Sequence, residues 1–69
     1  MPTEMIPVAS SMIAAIGYDD EQQELTIMFN NGRAYSYGGV PQSEFDNLRN
    51  AQSVGKYFAS NIKGVYREA

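Results

Sequence analysis

Phe29-Asn-Asn-Gly-Arg-Ala-Tyr35-Ser-Tyr37 limits the folds open to this chain more sharply than any other stretch. Before it, Glu24-Leu-Thr-Ile-Met-Phe-Asn30 alternates, with Leu25, Ile27 and Phe29 on one face of a strand and Thr26 and Met28 on the other. Asn31-Gly32 is the dipeptide best suited to a type I′ turn, in which both central residues need positive φ. Arg33 to Gly38 then returns as the partner strand. Loop length sets the faces. With a two-residue loop, Phe29 pairs with Ala34 and Met28 with Tyr35. Ala34, Ser36 and Gly38 then offer a small seat for covering helices, and Tyr35 and Tyr37 stand on the opposite face beside Met28 and Thr26. A three-residue loop with a bulge turns both tyrosines into the core, because a slip of one residue exchanges the faces. Turn preference favours the two-residue loop.

The rest of the chain arranges itself around this hairpin. Residues 1–8, with Pro2 and Pro7, read as an extended arm. Residues 11–18 form a short apolar stretch bounded by turn formers, which suits a strand, and residues 19–23 make a polar loop. Strands are thus expected over 11–18, 24–30 and 33–38. Pro41 at the first helical position, acidic Glu44 and Asp46 near the positive end, and Phe45 and Leu48 at helical spacing predict a helix over 41–51. Ser53 as a cap and Val54, Tyr57, Phe58 and Ile62 predict a second over 53–63, with Gly64 as its stop. The order βββαα predicts a two-layer α+β domain, a three-stranded antiparallel meander followed by two helices.

Size and composition narrow the chemistry. Sixty-nine residues make one domain with a thin core. The sequence contains no cysteine and no histidine, which excludes disulfides, thiolate or imidazole metal sites and Cys/His or Ser-His catalysis. Asp19, Asp20, Glu21 and Glu24 lack the alternating ligands and central glycine of a calcium loop and read as a solvated acidic turn. No metal or cofactor is expected. No basic residue precedes Arg33, so a signal peptide is not expected, and no apolar run approaches the ~20 residues of a membrane span. A cytoplasmic location with no membrane association follows. Net charge is -3: residues 1–32 hold five acids and no base, and residues 33–69 hold five bases and three acids. An acidic total argues against tight, nonspecific binding to a long nucleic acid, whose affinity comes mainly from phosphate neutralisation.

Ser10-Ser11, Ile16-Gly17-Tyr18-Asp19, Leu25-x-Ile27-x-Phe29, Asn31-Gly32, Tyr35-x-Tyr37, Val40-Pro41, Ala51-x-Ser53-x-Gly55-x-Tyr57-Phe58 and Ile62 together resemble the KTSC domain, over about residues 8–66. This small domain is named for its occurrence at the C-terminus of some lysyl-tRNA synthetases. It also occurs as stand-alone bacterial and phage-associated proteins, with the Tyr-x-Tyr pair central to it. The resemblance implies a domain without established catalysis, for which RNA binding has been suggested.

Two candidate sites emerge from the residues. Tyr35 and Tyr37 either fill the core or cover the sheet, as aromatic strand residues usually do, or they form a stacking platform for bases. Arg33, two residues before Tyr35 on the same strand face, would accompany them, holding a phosphate or stacking on a base edge-on. Ser53 and Lys56, around Gly55 at a helix start, make either an anion cradle or an ordinary capped helix. Glu44 and Asp46 serve their helix dipole, since no nucleophile or base converges on them. The reading is a non-catalytic binding module, not an enzyme. Its expected ligand is RNA, single-stranded nucleic acid or a small nucleotide, with phage-type nucleotide sequestration as one version. The alternative is a protein-interaction module or homo-oligomer that uses the same aromatic face.

Overall fold

The computed structural model describes residues 4–68. It holds a five-stranded antiparallel sheet in chain order, with strands β1 (Met5–Pro7), β2 (Ile13–Asp19), β3 (Glu24–Phe29), β4 (Ala34–Gly38) and β5 (Arg67–Glu68). Helices α1 (Gln42–Arg49) and α2 (Val54–Asn61) lie between β4 and β5 in the chain. The α+β class matches expectation; the three-strand count does not. The end of the expected arm, from Met5, is an edge strand on β2, and residues 67–68 return after the helices to pair with β4. Residues 1–3 of that arm lie outside the described residues. Strands of two and three residues are too short to show a period in sequence.

The hairpin register also differs. Leu25 pairs with Tyr37, Ile27 with Tyr35 and Met28 with Ala34, which leaves Asn30, Asn31 and Gly32 as a three-residue loop. Gly32 sits at φ 88°, and its N–H bonds to the Phe29 carbonyl, as in a turn closed by a bulge glycine. The Asn31 side chain accepts from the Arg33 N–H, and Asn30 is drawn toward β2 by bonds to the Met12 and Ser10 carbonyls. Tyr35 and Tyr37 therefore face the helices. Ala34, Ser36 and Gly38 lie on the open face instead of seating the helices. Burial decides the register: a tyrosine offers roughly 150–250 Å². Covering half of that at about 25 cal/mol per Å² outweighs a turn preference on the order of 1 kcal/mol.

Two rows of side chains cross the covered face, Ile6-Ile16-Ile27-Tyr35 and Tyr18-Leu25-Tyr37-Glu68, with Ile13 and Phe29 as a shorter third. Ile13 and Ile16 share this face although three residues apart, because a bulge at Ala14 resets the alternation of β2. Helical spacing inside a strand is thereby explained. Ile13, Ile16, Leu25, Ile27, Val40, Leu48 and Ile62 are fully buried. The Tyr18 ring stacks on Phe45 of α1 at 5.1 Å, and Tyr37 stacks on Phe58 of α2 at 5.6 Å, so each helix is seated by one tyrosine.

The helices run slightly shorter than expected. Pro41 is the N-cap residue of α1, with ψ 155°, one position before the first helical residue. Ser53 caps α2 by accepting from the Lys56 N–H. Gly64 takes φ 80° in the turn after α2, where the Val65 and Tyr66 N–H groups both bond to the Ile62 carbonyl. Glu44 does more than face a helix dipole. Its carboxylate accepts from the Tyr57 hydroxyl of α2 and, at 3.1 Å, from Tyr66 just before β5. One side chain thus ties α1, α2 and the returning strand together. No helix among the described residues is long and apolar enough to cross a membrane.

Candidate functional site

Beside the stacked Tyr37 and Phe58 lies a cleft of about 290 Å³. Phe29, Tyr35 and Tyr37 line it from the sheet, Phe58 from α2, and Met12, Lys63 and Glu68 complete its wall. Phe29 meets both Tyr35 and Phe58 edge to face at 5.5 Å, so the rings brace one another. Tyr37 is almost wholly buried, whereas Tyr35 and Phe29 are partly buried and line the cleft. Burial, with smaller contributions from the Glu68 carboxylate and Tyr35, raises the Tyr37 hydroxyl above its ordinary pKa of 10.0. It is therefore protonated at neutral pH. Ligand pockets usually span about 300–1,000 Å³ with a few polar groups among apolar walls, which puts this cleft at the scale of a single ring system.

The sequence-derived candidates divide. Tyr35 and Tyr37 belong both to the core and to the cleft, so the choice between core and site dissolves. They do not form an outward stacking platform. Arg33 pairs with Phe29 at the hairpin tip, is exposed, and is not among the residues lining the cleft. Ser53 and Lys56 line a second cleft of about 360 Å³ with Ser10, Ser11, Gln52 and Gly55. Met12 borders both clefts. Gly55 matters there by close approach, because a Cβ would lie 3.1 Å from Met12 Cε and 3.3 Å from Ser10 Oγ. It admits the Ser10–Met12 loop. Of the acidic turn, Asp19 accepts from the Glu21 and Gln22 N–H groups, which shapes the chain reversal.

Sequence reasoning passed over Phe29, Phe58, Lys63, Glu68 and Met12. Phe29 and Phe58 carried only a core signal, and Glu68 sat in a tail with no pattern. The interface alternative loses its aromatic surface. The face away from the helices carries Pro7, Ala15, Met28, Ala34, Gly17, Thr26 and Ser36, with no aromatic ring among the described strand residues. No group of three or more acidic side chains placed to hold a metal ion occurs among the described residues.

Fold and cleft together define a class: a small α+β domain whose helix-covered sheet opens at one end into an aromatic cleft with a charged rim. The chain belongs to the KTSC domain family, whose model matches residues 9–66. A protein of Tsukamurella paurometabola is 41% identical over 63 residues, covering 91% of this chain and 94% of that one. The crystal structure of a KTSC domain protein from Yersinia pestis superimposes with a TM-score of 0.94 at 37% identity, covering 99% of this chain and 96% of that one. A lysine–tRNA ligase of Nostoc punctiforme is 40% identical over 57 residues, which is 83% of this chain but 10% of the ligase.

Proposed function

We propose that this domain is a non-catalytic module that binds a nucleobase-bearing small ligand in the cleft formed by Phe29, Tyr35, Tyr37 and Phe58. The supporting observation is the cleft itself: four aromatic side chains around about 290 Å³, with one ammonium and one carboxylate on the wall. A planar ring entering it contacts aromatic surface, and base–aromatic contacts contribute roughly 1–3 kcal/mol each. The charged wall groups then supply orientation. The volume and the net charge of -3 favour a nucleotide or the end of a short single strand over a long polyanion. Binding, not turnover, fits a sequence without histidine or cysteine, in which the hydroxyl–carboxylate contacts of Glu44 with Tyr57 and Tyr66 lie outside the cleft lining. Arg33, Ser53 and Lys56 take no part in holding the ring. Ser53 and Lys56, beyond Met12, are where a ligand larger than the cleft would extend.

Thermal shift and calorimetry against mono-, di- and cyclic nucleotides and short RNAs test this reading. A ligand at a hundredfold excess over its Kd should stabilise the domain by about 2.7 kcal/mol. The Tyr35→Ala variant, still folded by circular dichroism, should lose that gain. A wild-type melting temperature unmoved by every nucleotide and RNA defeats the proposal.

A further inference from the structure

We infer that the base this cleft selects is guanine, an inference that rests on the nucleobase reading above. Glu68 is the cross-strand partner of Tyr37, so its carboxylate stands on the helix-covered face one strand beyond that ring. Lys63 reaches the same cleft from the turn after α2. Both side chains are exposed, so their charged ends meet the cleft at its solvent side. An acceptor-only group and a donor-only group therefore border one aromatic slot.

That combination discriminates by elimination. Lys63 and Glu68 carry opposite charges, so a charged ring is attracted by one and repelled by the other and gains little from the pair. The complementary ligand is a neutral ring whose edge carries adjacent donors next to acceptors. Guanine presents N1–H and the exocyclic N2 amine side by side, which a carboxylate accepts in parallel, and O6 and N7 as acceptors for an ammonium. Adenine places the N1 lone pair beside its single amine, where a carboxylate is repelled. Cytosine likewise sets N3 beside its amine, and uracil has one N–H between two carbonyls. A ring that matches both groups gains charge-assisted hydrogen bonds that the other rings lack.

Calorimetry with the 5′-monophosphates of guanosine, inosine, adenosine, cytidine and uridine tests the assignment, because the phosphate is common to all. Guanosine monophosphate should bind best. Inosine monophosphate, which lacks the N2 amine, should bind about tenfold more weakly. In the Glu68→Gln variant, whose edge position spares the core, the guanosine-over-inosine advantage should fall to about threefold or less, on the same scale. Equal binding of all five overturns the guanine assignment, and a guanine preference that Glu68→Gln leaves intact overturns Glu68 as the group that reads the base; both outcomes leave the cleft reading in place. Binding by none of the five removes the guanine assignment, and the cleft reading falls with it when the di- and cyclic nucleotides and short RNAs also leave the melting temperature unmoved.

Discussion

At the scale of single residues, Gly32 shows how a local requirement and a tertiary one meet. Its φ of 88° is costly for any side chain, yet a Cβ there would meet nothing within 4 Å. The penalty of Gly32→Ala is thus purely one of backbone conformation, about 1–2 kcal/mol. Urea denaturation should show that loss as a shifted midpoint with an unchanged slope. Asn31-Gly32 was legible in the sequence as a turn. Its length was not, because turn preference ranks two-residue loops first and cannot see that Tyr35 and Tyr37 have a core to fill. Ser53, by contrast, acts as the cap its position announced, since that hydrogen bond is local.

Among the elements, those with several residues of pattern were readable and those held by partners were not. The alternation of β3 and the apolar stripe of α1 stood out because period and burial agree. β1 and β5 have three and two residues and exist through pairing with β2 and β4. The Glu44 junction was invisible because Tyr57 and Tyr66 are 13 and 22 residues away. It gives the junction a pH signature. Tyr57 is raised above 10.0 first by its hydrogen bond to Glu44, and Tyr66 first by burial and then by its own bond to Glu44. Raised folded-state values mean that the contribution is complete below pH 10.0 and is lost as pH climbs through those values. Urea stability should therefore decline above about pH 10, and a Tyr57→Phe/Tyr66→Phe double variant, weaker at pH 7, should decline less steeply.

For the whole molecule, the candidate site was half legible. Tyr35 and Tyr37 were found because two aromatic residues on one strand are conspicuous. Lys63 and Glu68 were not, because the fold brings them to the cleft only after two helices intervene. That order has a kinetic side. β2, β3 and β4 join through short reversals, whereas β5 closes a long detour and adds only two residue pairs. Its opening free energy should lie at the low end of the molecule's range, so amide exchange at Glu68 should outpace exchange at Ile27 by orders of magnitude under native conditions. A bound ring touching Glu68 would slow that exchange selectively. The shortest strand would then report occupancy of the cleft before the rest of the sheet registers any change.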